Sequence, residues 1–197
     1  MPFQFKIQLK NITKPPVWRR LLVPETFTFH QFHLLIQAAF GWENAHMFRF
    51  SLLGYRSDFF ITEKEMYDPD FYEEDEVIDS KEIKLSEIFN TEGQKFNYLY
   101  DFGDDWFHVI TLEKITEEKL LYADCLAGKG ACPPEDCGGP WGYANLREAL
   151  ADPKHPEHKE FKEWLGLKKD ETWDANFFSI KEAQEAVRNC DFDRELF

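Results

Sequence analysis

Apolar side chains fall on every second position in several stretches of the first 115 residues and at helical spacing after residue 142. That change of period limits the fold more than any other feature. Phe3, Phe5, Ile7 and Leu9 alternate with polar partners, the period of a half-buried strand. Residues 17–23 predict a second strand between Pro16 and Pro24, after a turn over 11–16. Segments 47–53 and 59–62 read as strands around Gly54. Segments 95–101 and 105–115 read as a hairpin about Phe102, Gly103 and Asp104. The early exception is a helix: Thr28 and Gln31 form a capping-box pattern before Phe29, Phe32, Leu35, Ile36 and Phe40, and Gly41 is a natural stop. Ser86 is expected to cap a single turn. Helices are predicted over 143–151, 156–165 and 179–189, the last with Ser179 and Glu182 as a second capping pattern. Strands first and helices last give an α+β class. The expected form is a mainly antiparallel sheet of five or six strands, helices on one face and a helical C-terminal third. No repeat, linker or boundary divides residues 1–197, so one domain is expected.

The charge is less even than the pattern. The chain carries a net charge of -14, yet residues 1–60 hold seven Lys or Arg against three acids, and residues 63–92 hold twelve acids against three Lys. The acidic balance disfavours nucleic acid as a partner, since phosphate neutralisation needs a cationic surface. The basic amino-terminal portion leaves that class open. Residues 63–79 have no useful period and are expected to be a solvated loop. No apolar run is long enough to span a bilayer, and the alternating start reads as a strand and not as a signal peptide. A cytoplasmic location with reduced cysteines follows. The 20 Phe, 6 Trp and 7 Tyr imply an aromatic core, an aromatic-lined groove, or both.

Several groups of residues can carry chemistry. Within 100–109, YDFGDDWFHV, the residues Asp101, Asp104, Asp105 and His108 sit at a strand–turn–strand. Carboxylates grouped this way bind a divalent cation or do acid–base work, but Asp and Gly are also what a hairpin turn requires. Strand alternation puts Asp105 and Phe107 on one face and Trp106 and His108 on the other, so the four groups need help from elsewhere to converge. Within 132–143, CPPEDCGGPWGY, a rigid loop presents Glu135 and Asp136 to a ligand, or packs Trp141 and caps the next helix. Cys125, Cys132, Cys137 and His155 have the donor count of a tetrahedral zinc site. They lack a tight C-x2-C pair, and the alternative is small thiols filling a Gly/Pro loop. Trp18, Arg19 and Arg20 can grip a carboxylate or phosphate, or form surface ion pairs. His30, His33 and His46 are too irregular for a helical zinc-hydrolase motif. Phosphate-binding glycine loops and the serine-hydrolase elbow are missing.

Four stretches occur in one order: PPVWRRLLVP (15–24), FHLLIQAAFGWENAHMFRF (32–50), YLYDFGDDWFHVITLEKI (98–115) and CLAGKGACPPEDCGGPWGYANLREALADPKHPEH (125–158). Together they resemble the plasmid pRiA4b ORF-3-like family over nearly the whole chain. The resemblance implies an association with plasmids and insertion elements, without implying a particular reaction. A resolvase role needs a nucleophile set among arginines, and no Arg cluster lies beside a Ser or Tyr here. The motif positions the resemblance singles out include Trp18, Arg19, Arg20, His33, Trp42, His46, Trp106 and Tyr143 as binding candidates, beside the acids named above.

Three readings result. The first is an intracellular binding module whose aromatic groove takes a protein, peptide or small ligand, with Arg19, Arg20, His108 and Glu135 as anchors. The second is a hydrolase or nuclease assisted by a divalent metal, using Asp101, Asp104, Asp105, His108, Glu135 and Asp136. The third is a mobile-element accessory protein that docks on nucleic acid.

Overall fold

The structure, a computed structural model, describes residues 1–66, 76–117 and 120–193. Eight strands run in chain order as β1 (Pro2–Thr13), β2 (Pro16–Pro24), β3 (Phe48–Ser51), β4 (Phe60–Thr62), β5 (Val77–Asp79), β6 (Lys95–Tyr100), β7 (Trp106–Ile115) and β8 (Asp124–Lys129). They form one sheet in the order β5-β4-β3-β6-β7-β1-β2-β8. Every pairing is antiparallel except β4 with β5. The α+β class therefore stands, but the sheet is mixed and has two or three more strands than expected. β5 and β8 are its two edges. β5 lies in the stretch expected to be a solvated loop, and β8 in one for which no element was predicted. Of the loop expected over 63–79, residues 67–75 lie outside the described residues.

The described residues also hold five α-helices: α1 (Phe29–Phe40), α2 (Leu85–Ile88), α3 (Gly139–Ala151), α4 (His158–Trp164) and α5 (Ile180–Arg188). The capping box forms as the sequence predicts: Gln31 N–H donates to Thr28 Oγ1, and Thr28 N–H donates to Gln31 Oε1. Gly41 closes α1 in the left-handed conformation at φ 93°, which costs glycine nothing. Ser179 Oγ caps α5. At α2 the reciprocal role falls to Glu87, which accepts the Lys84 N–H, and Ser86 does not cap. α3 begins four residues earlier than the periodicity implied, because Pro140 suits its first turn.

Alternation along β1 sends Phe3, Phe5, Ile7 and Leu9 to the covered side of the sheet, where each is nearly inaccessible. Phe5 lies 4.8 Å from both Phe32 of α1 and Phe89, ring centre to ring centre. Phe29 lies 5.0 Å from Phe50. Truncating Phe5 or Phe32 to Ala would cost roughly 3–5 kcal/mol. α5 packs on α1 and β8. On the opposite side Lys6, Lys95, Gln8, Val109 and Thr111 stand in cross-strand register and line an open polar groove with Lys10.

Arg19 ties β2, β8 and the end of α1 together. Its guanidinium donates to the carbonyls of Trp18, Ala39, Lys129 and Gly130 and lies over the rings of Phe40 and Phe178. The aromatic content is thus largely spent on the core: Trp42, Trp106, Tyr98, Tyr100 and Tyr143 are all buried.

Candidate metal centre

Three segments meet beyond one end of the β3–β6 pair. The first is the loop between α1 and β3, which carries His46. A buried network under it starts at α1. Gln37 Nε2 donates to the Tyr98 hydroxyl, and that hydroxyl in turn donates to His33 Nδ1 at 2.8 Å. His33 Nε2 is left as the N–H that donates to Asn44 Oδ1 at 2.5 Å. Asn44 N–H donates to Gln37 Oε1, closing the ring. Asn44 takes φ 57°, a conformation that Asn tolerates better than most residues. The Tyr100 hydroxyl accepts the Ala45 N–H. His46 is therefore held from both sides of the loop.

The second segment is the hairpin turn after β6. Asp101 (φ 57°) and Asp105 (φ 58°) both sit in the left-handed region. Asp101 Oδ1 accepts the N–H groups of Gly103 and Asp104, and its N–H donates to Met47 O. Its second oxygen, Oδ2, remains directed at His46 Nε2, 3.7 Å away.

The third segment is the Gly/Pro loop. Trp42 Nε1 donates to Pro133 O and fastens this loop to the end of α1. Asp104 accepts the Gly138 N–H. A Cβ on Gly139 would stand 2.3 Å from Asp104 O, so the close approach of the two loops requires glycine there. Glu135 Oε1 accepts from the Glu43 N–H and the Tyr100 hydroxyl. Its other oxygen, Oε2, is buried and makes no hydrogen bond; it lies 3.9 Å from His46 Nε2, which is also buried and makes no hydrogen bond. Asp136 Oδ1 lies 3.3 Å from the same nitrogen and is largely exposed.

Asp101 and Glu135 thus follow one rule: one oxygen is tied to the scaffold and the other faces a common point. The ligand atoms of His46, Asp101 and Asp136 all lie within 4.8 Å of one another, and Glu135 Oε2 stands outside that group, 3.9 Å from His46 Nε2. Oxygen ligands about 2.4 Å from a large cation such as Ca2+ stand up to about 4.8 Å apart when opposite, so the cluster has the span of a wide coordination sphere. Oxygen ligands with one imidazole suit hard or borderline divalent cations. Burial pushes the Glu135 carboxyl up, opposed by its bonds from Glu43 and Tyr100.

The other candidates are placed elsewhere. Asp104 caps the Gly138 N–H, and Asp105 accepts the Tyr55 hydroxyl. His108 is fully buried between Phe40 and Trp42 with Nδ1 toward Tyr98 O. Burial lowers its pKa to about 3, and does the same for His33. These two are neutral core histidines. Trp42 and Trp106 are core residues, Tyr143 is buried at the wall of a cleft beside α3, and Arg19 is a buried strut. Trp18 and Arg20 stand on the uncovered sheet face, Arg20 in a bidentate pair with Glu113. The zinc set does not form: among the described residues, the one metal-compatible group is His46, Asp101 and Asp136, which contains no cysteine. Burial raises the Cys125 thiol to about 11 and the Cys137 thiol to about 12. His155 Nδ1 instead accepts the Glu157 N–H.

His46 is the member whose role sequence reasoning missed. It was grouped with binding residues because nothing local links it to acids 55 and 89 positions further on. No helix among the described residues is long and apolar enough to cross a membrane.

A profile of the plasmid pRiA4b ORF-3-like protein matches residues 2–182. Uncharacterized protein y4hQ of Sinorhizobium fredii (strain NBRC 101917 / NGR234) is 38% identical over 188 residues, 91% of this chain and 89% of that protein. The crystal structure of MM3350, a protein of unknown function from Methanosarcina mazei Go1, is similar with a TM-score of 0.75. It is 36% identical, over 92% of this chain and 96% of that one.

Proposed function

We propose that this chain, which belongs to the plasmid pRiA4b ORF-3-like family, is a hydrolase that holds a divalent cation at His46, Asp101, Glu135 and Asp136. One observation carries the reading: two buried atoms, His46 Nε2 and Glu135 Oε2, face each other without any hydrogen-bond partner. An unsatisfied buried polar atom costs about 1–3 kcal/mol. Two of them at one point, beside two further carboxylate oxygens, are what a cation would satisfy at once.

Bound there, a divalent cation lowers the pKa of a water and neutralises charge on a substrate oxygen. The protein's own part is to fix three ligands and expose the fourth. Asp101 is locked by the turn, Glu135 by Tyr100 and the Glu43 amide, and His46 by its loop. Asp136 is at the solvent side, which is where water and substrate reach the centre. The acidic balance of the chain favours a small ester or phosphoester over a polyanion.

Titration with Mn2+, followed by electron paramagnetic resonance and calorimetry, tests the centre. Stoichiometric binding in the parent protein, lost in Asp101→Asn and Glu135→Gln, is the expected result. Turnover of bis(p-nitrophenyl) phosphate or p-nitrophenyl acetate should require the metal and vanish with chelator. If the cluster is only an ion pair between a charged His46 and its acids, neither binding nor chelator-sensitive turnover will be seen, and the reading fails.

A further inference from the structure

The uncovered side of the sheet has a charge opposite to that of the chain. Strands β1, β2, β6 and β7 contain one acid, Glu113. It is closed by Arg20 in the bidentate pair and by Gln4 Nε2. Against it stand Lys6, Lys10 and Lys95, which border the groove on that side, and Lys129, which faces Trp18 in the register of β2 with β8. None of these four lysines belongs to an ion pair among the described residues. The chain as a whole has a net charge of -14, so this excess of cations is local to one face. None of His46, Asp101, Glu135 or Asp136 borders the groove.

Cross-strand pairing fixes the layout. Lys95, Thr111, Lys6 and Arg20 form one row, and Val109, Gln8, Trp18 and Lys129 form the next. Residues directly opposite each other share a face. With strands about 4.8 Å apart, the first row spans roughly 14 Å, which suits an extended anion better than a compact one. Trp18 stands among these cations. Lys6 Nζ lies 5.3 Å and Arg20 Cζ 5.2 Å from the centre of its ring, and the ring is only half-buried. The carboxylates of an acidic peptide would use the lysines alone. A nucleic-acid strand uses both features, with phosphates on the cations and a base against the aromatic ring. A duplex keeps its bases stacked on one another, so a surface ring meets an unstacked base in a single strand. We propose that this face binds single-stranded nucleic acid, its phosphates on Lys6, Lys10, Lys95 and Lys129 and one base on Trp18.

The proposal is independent of the metal centre, and its test keeps the two apart. The full chain is titrated into fluorescein-labelled oligothymidylate in EDTA at several salt concentrations, and fluorescence anisotropy is read. Binding should be saturable and should persist in His46→Ala. Four phosphate contacts give a slope of log K against log salt of about -3. Lys6→Gln combined with Lys95→Gln should reduce that slope to about half. Lys10→Gln with Lys129→Gln, at exposed positions, is a second pair that should act alike and is safe for folding. Trp18→Leu should weaken binding about tenfold and leave the slope unchanged. Unlabelled oligoglutamate of equal charge should compete poorly. The proposal is overturned if the oligothymidylate does not bind at low salt, or if both lysine pairs keep the parent slope. It is also overturned if oligoglutamate competes as well as unlabelled oligothymidylate and Trp18→Leu has no effect, which would assign the face to an acidic protein segment.

Discussion

Replacing Asp101 by Asn keeps nearly every contact of this residue and removes its ability to hold a cation. The Asn Oδ1 can still accept from Gly103 and Asp104, which Asp101 Oδ1 does at 2.9 and 3.3 Å. Asn also tolerates the φ of 57°. Only Oδ2, the oxygen facing His46, becomes an amide nitrogen. In chelator the variant should therefore match the parent within about 1 kcal/mol, with any difference favouring the variant because one of three neighbouring negative charges is gone. With free cation at a hundred times Kd, binding stabilises the parent by about 2.7 kcal/mol. For a chain of this length that is a rise in Tm of roughly 5–10 °C. Differential scanning fluorimetry with EDTA and then with excess Mn2+ reads both arms. A parent that gains nothing from the cation, or a variant that gains as much as the parent, would refute the reasoning.

Other expectations concern the scaffold. Arg19→Met removes a fork bonded to four carbonyls and should cost at least ~3 kcal/mol in urea unfolding. Gly139→Ala forces a methyl group against Asp104 O at a positive φ, so it should lower Tm and also abolish cation binding by parting the two loops. Neutral His33 and His108 have folded pKa values of about 3 against about 6.5 unfolded. Stability is thus intact above about pH 6.5 and is lost as pH falls from there toward 3. Each histidine contributes up to ~1.4 kcal/mol per pH unit. His108→Leu should flatten that slope by about half relative to the pair, as measured by denaturant unfolding between pH 7 and 4.5.

The parts of this fold that were legible in sequence are those where local chemistry and burial agree. The Thr28–Gln31 box, the Gly41 stop and the alternation of β1 each report their structure within a few residues. The β8 segment could not be read because it owes its existence to pairing with β2. Its own burial does not alternate cleanly, and Gly128 is packed against Phe178. β5 is three residues long and parallel to β4, so it has no period to detect. The site was half legible. Asp101, Glu135 and Asp136 stood out as acids in unusual loops, whereas Asp104, Asp105 and His108 looked equivalent to them and turned out to serve the turn and the core. What separates the two groups is proximity to His46 Nε2, a property of tertiary contacts alone. The aromatic surplus misled for a related reason: composition cannot say whether a Trp faces inward.

The four converging side chains come from stretches of chain separated by 55 and 34 residues, with His46, Asp101 and Glu135 each on a different one. Any ion held among them would act as a removable staple across the whole assembly, because local fraying of a single loop could not release it without breaking contact with the other two. Such a staple restrains departure from the native state more than it guides arrival there, since all three stretches must already be in place before it can close. Metal supply would then govern how long a folded copy lasts, through a slower opening rate, while leaving the refolding rate nearly untouched.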